Sequence, residues 1–194
     1  MNGPRLWLVR HARPLVAPGL CYGRLDMPAD ASASRAAAAA LARALPPRVA
    51  RAWHSPLQRC ELLALDLQAL RPDLASRAEP RIAEMDFGAW EGRAWSAIAR
   101  AEIDAWAADL AGHAPGGGEP LVAMLARVDM ALRHAASCAQ GGDVLWITHA
   151  GVARCVQWLL AHGGARAPRA HEWTMAAPDF GAWMTLALPI APAR

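Results

Sequence analysis

The sequence contains no lysine, so all twenty of its basic side chains are arginine. They are spread along the chain and nearly balanced, at a net charge of +3. No basic stripe results, and no nucleic acid is expected as a partner. A few well-placed arginines suit a small phosphorylated metabolite instead, because the guanidinium fork matches phosphate oxygens. No uninterrupted apolar run reaches the roughly 18 residues that span a bilayer. Arg10 and His11 interrupt the only early apolar run, so neither a secretory leader nor a membrane partner is expected. Cysteine is sparse: four scattered residues (Cys21, Cys60, Cys138, Cys155) and no CxxC pair. That spacing argues against a zinc site and a disulfide framework, and the expectation is free thiols, a cytoplasmic location, no metal and no cofactor. Long charge runs, internal repeats and domain linkers are missing too. With 55% hydrophobic residues, the 194-residue chain is expected to form a single domain, 1–194, around a substantial core.

What is present is organised around Leu6-Trp7-Leu8-Val9-Arg10-His11. The apolar run reads as a strand buried on both faces, and it ends in two groups that such a strand does not carry idly. Val144-Leu145-Trp146-Ile147-Thr148-His149 echoes it. If both runs are parallel strands of one sheet, His11 and His149 share its carboxyl rim, where open α/β sheets bind ligands. Two histidines and an arginine there describe an anion pocket containing a nucleophile.

Between these runs, Pro14 to Asp30 reads as a loop over the rim. Ser34 to Leu45 is alanine-rich and helical, with Ser32 or Ser34 as its cap. Val49 to Trp53 is a second strand, and the helix after Pro56 runs to about Leu70 with Arg59 in its first turn. A short strand is expected around Ile82, and helices at Trp95–Leu110, Leu121–Cys138 and Val152–His162. Gly112 to Pro120 reads as a flexible connection, its three glycines a lid loop or hinge, since it lacks the context of a phosphate cradle. Trp173–Met175 and Trp183–Leu188 are weaker strand candidates. The alternation gives an α/β sandwich with a mostly parallel sheet.

Arg10-His11, Ser55-Pro56-Leu57-Gln58-Arg59, Glu84 followed by Phe87-Gly88 and Trp90-Glu91-Gly92, and His149-Ala150-Gly151 form an ordered set. In that order they resemble the histidine phosphatase (phosphoglycerate mutase-like) superfamily, from about Arg5 to Arg154. The resemblance implies a three-layer α/β/α sandwich with a lid-like insertion around 93–120, and a metal-independent phosphomonoesterase. It makes His11 the nucleophile that becomes phosphohistidine, Arg10, Arg59 and His149 the phosphate pocket, and Glu84 the proton donor. Within the superfamily, Ala17 to Gly23, Asp26 and the Glu84–Gly92 run most resemble α-ribazole phosphatases of cobalamin synthesis. That branch implies α-ribazole phosphate as substrate, with Tyr22 and Gly23 at the binding site, and leaves a homodimer open.

Such chemistry asks for a neutral nucleophilic imidazole whose other nitrogen is hydrogen-bonded, and for positive groups, a protonated His149 among them, on the phosphate oxygens. Asp86 and Glu91 are neighbouring carboxylates that compete with Glu84 for the acid role. A broad sugar or small-molecule phosphatase, and a catalytically silent phosphate-binding protein, are the competing functions. Ala12 stands where the family usually has glycine; both Ala12 and Ala150 are expected at ordinary φ. His54 is expected to line or crowd the pocket, and Trp90 and Trp106 are the aromatic candidates for reaching a substrate ring.

Overall fold

The computed structural model describes residues 3–164 and 166–188. Five strands form one sheet in the order β3-β2-β4-β1-β5. They are β1 (Arg5–Arg10), β2 (Val49–His54), β3 (Arg77–Ala78), β4 (Asp143–Thr148) and β5 (Trp183–Ala187). All pairings are parallel except that of β5, which runs antiparallel beside β1. The helices are α1 (Ala31–Ala44), α2 (Gln58–Leu70), α3 (Arg100–Ala108), α4 (Leu121–Cys138) and α5 (Ala150–His162).

The continuous apolar runs of β1 and β4 are explained by helices on both faces. Leu6, Leu8, Val144 and Trp146 pack with residues of α4 and α5. The alternate set, Trp7, Val9, Leu145 and Ile147, packs with α1 and α2. Alternation along a strand sends successive side chains to opposite faces, so each run feeds two cores. Each fully buried aliphatic side chain of this kind contributes about 1.5–3 kcal/mol. The two central strands are therefore the most firmly held part of the molecule, and the residues that follow them inherit a rigid base.

Several local expectations are corrected. Helix α1 is capped by Asp30, not by a serine: Asp30 Oδ1 accepts from the Ala33 N–H at 2.8 Å, and the Ser32 hydroxyl donates to the same oxygen. A carboxylate at that position satisfies an amide and also meets the positive end of the helix dipole. Ile82 lies in a 3-10 turn, Pro80–Ile82, while the strand is Arg77–Ala78; Pro80 has no N–H to extend a ladder. The Trp95–Leu110 helix divides into a 3-10 turn, Trp95–Ala97, and α3, with Ile98 extended between them. Trp173–Met175 forms no strand.

The Gly112–Pro120 connection is not a free hinge. The Glu119 N–H donates to the Asp86 carbonyl at 2.8 Å, and Gly116 adopts φ 59°. A Cβ on Gly116 would stand 2.3 Å from the Phe87 carbonyl oxygen, and one on Gly118 would stand 2.3 Å from that of Asp86. The glycines let two backbone segments lie in contact.

Candidate active site

The parallel register pairs Arg10 with Thr148, so the next residues, His11 and His149, stand together at the carboxyl rim. Their rings are 5.1 Å apart, inclined at 60°. His11 is buried, and its Nδ1 lies 2.7 Å from the carbonyl oxygen of Ala12. A carbonyl only accepts, so Nδ1 carries the proton and donates, which leaves Nε2 with its lone pair. Burial, then Arg59, then Arg10 push the His11 pKa down to about 3, against the raising effect of the Ala12 bond. The imidazole is neutral and in the tautomer a nucleophile needs. No described non-glycine residue has positive φ, so Ala12 and Ala150 carry no such strain.

Arg59, in the first turn of α2, is fully buried. Its guanidinium donates to the carbonyls of Leu25, at 2.9 Å, and of Gly23. Arg10 donates to the Pro178 carbonyl at 3.1 Å and lies over the Phe180 ring, 3.8 Å from its centroid. The Nε–H groups of both arginines are buried and have no acceptor among the described residues. Arg10, the last residue of β1, and Arg59, in the helix that follows β2, thus both reach the cavity that His11 lines.

His149 is buried, with Nε2 2.7 Å from Ser55 Oγ and 3.5 Å from Cys60 Sγ. It lies beside His11 but not on the cavity wall. Here the structure departs from the sequence reading, which counts His149 as a third positive group. Burial, then His11 and Arg59, hold its pKa well below the ordinary histidine value, so it is neutral without an anion.

Glu84 reaches the same place from a different segment. Its Oε2 accepts from the Gly151 N–H at 3.1 Å, at the start of α5, and its Oε1 accepts from the Met85 N–H at 3.1 Å. A Cβ on Gly151 would fall 2.2 Å from Oε1, so a larger residue there would displace the Glu84 carboxylate. Arg127 of α4 fixes this segment by donating to the carbonyls of Arg81, Ala83 and Glu84, while forming a bidentate pair with Glu119. The competing carboxylates are committed to backbone amides. Asp86 accepts from Gly88, and Glu91 accepts from Gly23, Arg24, Leu25 and Phe87. Of these three, only Glu84 lines the cavity.

That cavity, of about 230 Å³, brings together Arg10, His11, Tyr22, Arg59 and Glu84. Gly23 is not on its wall. Its carbonyl holds Arg59, and a Cβ there would meet the Met85 carbonyl oxygen at 1.9 Å. His54 neither lines nor crowds the cavity, because its Nδ1 is bound to Ser76 Oγ at 2.8 Å. Trp106 lines the cavity, but Trp90 is buried with Cys21 and Ile98. Sequence reasoning missed Trp95, Arg154 and Trp173 on the wall, and the supporting Ser55 and Arg127. Ser55 stood in a quoted motif; its bond to His149 spans 94 positions, which no local pattern reveals. Among the described residues no cluster of His, Cys, Asp or Glu is placed to hold a metal ion, and no helix is long and apolar enough to cross a membrane.

The family model of the histidine phosphatase superfamily (branch 1) matches residues 6–177. Among solved structures, mycobacterial glucosyl-3-phosphoglycerate phosphatase is similar in its native form, at 23% identity and TM-score 0.78, covering 95% of this chain and 90% of that one. Its complex with VO3 matches at 26% identity and TM-score 0.77, covering 95% and 91%. The protein TTHB049 from Thermus thermophilus matches at 28% identity and TM-score 0.70, covering 95% and 94%. No curated protein matches the sequence.

Proposed function

Since the chain belongs to the histidine phosphatase superfamily (branch 1), we propose that it is a metal-independent phosphomonoesterase that works through phosphorylated His11. The observation that carries this reading is the neutral His11, its Nε2 lone pair uncommitted, sharing one cavity wall with the half-buried Arg10 and the fully buried Arg59. A phosphate dianion repels a nucleophile until its oxygens are neutralised, and each well-aimed donor contributes about 10²–10³ in rate. Arg10 and Arg59, on the cavity wall, supply the donors, with His149 packed beside His11 behind that wall. His11 Nε2 forms the P–N bond as the ester P–O bond breaks, and the Glu84 carboxyl gives its proton to the departing alkoxide. The resulting carboxylate then takes a proton from water as that water attacks phosphorus, and breaking the P–N bond restores neutral His11. The product pair is an alcohol and inorganic phosphate.

The substrate in this reading is a small phosphorylated metabolite in the cytoplasm, with the 93–120 segment acting as a lid over it. α-Ribazole phosphate is the best single candidate, supported by the likeness of Ala17 to Gly23, Asp26 and the Glu84–Gly92 run to that branch. The solved glucosyl-3-phosphoglycerate phosphatase makes a phosphorylated sugar acid the alternative. The test is to trap an acid-labile phosphoryl group on the wild-type protein. His11→Ala should abolish both the trapped group and turnover, and chelators should leave turnover unchanged. Full activity in the variant, or inactivation by chelator, would overturn the proposal.

A further inference from the structure

The antiparallel edge strand does more at the site than close the sheet. Just before β5, Asp179 to Ala182 form a four-residue turn in which the Ala182 N–H donates to the Asp179 carbonyl at 3.0 Å. Gly181, its third residue, takes φ 74°, a conformation that a turn of this kind reserves for glycine. The Gly181 N–H donates to the carbonyls of Arg10 and His11, at 3.2 and 3.0 Å, and the Arg10 N–H donates to the Ala182 carbonyl at 3.0 Å. The turn is thus fixed to the backbone of both residues. Its second residue, Phe180, lies on their side chains. The ring centroid is 3.8 Å from the Arg10 guanidinium carbon and 5.5 Å from the centre of the His11 ring. No carboxylate among the described residues forms an ion pair with Arg10. Its guanidinium donates instead to the Pro178 carbonyl, in the same segment as the ring.

We propose that Phe180 is a positioning residue for phosphate binding, its ring face holding the Arg10 guanidinium in place. The inference rests on the reading of Arg10 as a phosphate-binding group and adds what aims that group. A guanidinium on a flexible stem loses rotamer freedom when it captures an anion, and a partner that fixes it beforehand removes part of that cost. A carboxylate would fix it too, but would cancel its charge and occupy the donors that phosphate needs. An aromatic face attracts the cation through the ring quadrupole and takes no N–H donor. The same ring lies beside His11, so the cation and the nucleophilic imidazole are held against a common surface, delivered by a turn that is itself bonded to their backbone.

The test measures orthovanadate affinity, and KM and kcat for p-nitrophenyl phosphate, in wild type, Phe180→Leu, Phe180→Met and Phe180→Tyr. Leucine and methionine keep an apolar side chain at this exposed position and remove the ring, whereas tyrosine keeps the ring. The two ringless variants should bind vanadate about 3- to 30-fold more weakly, the worth of one cation–π contact. KM should rise by a similar factor and kcat should fall by less. Tyrosine should return vanadate affinity and KM to within about twofold of wild type. The Tm of the ringless variants should stay close to that of wild type. A role in packing alone would lower the Tm and leave vanadate affinity unchanged, and that result overturns the inference. So does unchanged vanadate affinity in either folded ringless variant, or a loss that tyrosine does not restore. Failure of the phosphatase reading looks different: the wild type hydrolyses no phosphate monoester, while its vanadate binding still depends on the Phe180 ring.

Discussion

Glu91 and Arg59 hold one loop by its two kinds of backbone group. The Glu91 carboxylate accepts the N–H groups of Gly23, Arg24 and Leu25, and the Arg59 guanidinium donates to the carbonyls of Gly23 and Leu25. Glu91 on the N–H and Arg59 on the carbonyl of the Gly23–Arg24 peptide orient it in the same sense, so the loop is a spacer that sets where Arg59 points. Neither role is visible from either residue alone.

Glu91→Gln should therefore weaken phosphate binding without touching the phosphate. One acceptor oxygen becomes a donor facing amide N–H groups, and charge-assisted bonds of this kind are worth about 1.5–3 kcal/mol each. The inhibition constant of inorganic phosphate and the KM should rise by roughly tenfold or more, with a smaller change in kcat. Glu91→Asp should recover part of the affinity. An unchanged phosphate constant in a folded Glu91→Gln protein would detach the loop from Arg59.

Gly23→Ala tests the same spacer sterically. The Met85 carbonyl oxygen, 1.9 Å from the added Cβ, belongs to backbone and cannot swing aside. Overpacking of this kind costs about 1–3 kcal/mol. Thermal denaturation should show a lower Tm, and vanadate titration a weaker complex. Wild-type values in both measurements would mean that the loop shifts freely.

Glu84→Gln separates proton donation from positioning. The variant keeps the shape and the acceptor for Gly151 but has no transferable proton. Hydrolysis of an alkyl phosphate should fall by roughly 10²–10⁴-fold, the range for general acid catalysis. The single-turnover burst with p-nitrophenyl phosphate should fall far less, since nitrophenolate leaves without a proton. Equal losses on both substrates would make Glu84 a positioning group.

Stability should fall as the medium is acidified. The folded-state pKa of His11 is depressed from 6.5 to about 3, and that of His149 is depressed as well, both chiefly by burial. In the unfolded chain both take protons near 6.5, so below that pH the unfolded state binds more protons than the folded one. The contribution is fully present above about pH 6.5 and is lost as pH falls toward the folded values, with a limiting slope of about 1.4 kcal/mol per pH unit for each histidine. Urea unfolding at pH 7, 6 and 5 measures the slope, and His11→Asn should flatten it. A slope unaffected by that substitution would show that His11 is charged in the folded protein.

The sequence by itself determined the parts that depend on neighbours in the chain. Uninterrupted apolar runs placed β1 and β4 and put His11 and His149 at one rim. Helical spacing of Leu121, Met124, Leu125, Val128 and Leu132 placed α4 from Leu121 to Cys138, and Pro56 set Arg59 into the first turn of α2. Tertiary structure decided which of three nearby carboxylates faces the cavity: Glu91 is claimed by the amides of Gly23, Arg24 and Leu25, which only folding brings near, Asp86 closes a local turn on Gly88, and Glu84 alone of the three lies on the wall. It decided that His54 turns to Ser76, that Gly116 is pressed against Phe87 and Trp90, and that Gly118 is pressed against Asp86 and Gly88. It also decided the charge of His149, which no motif encodes. Burial and the field of Arg59 are sums over groups distant in sequence, and they exist only once the sheet has assembled.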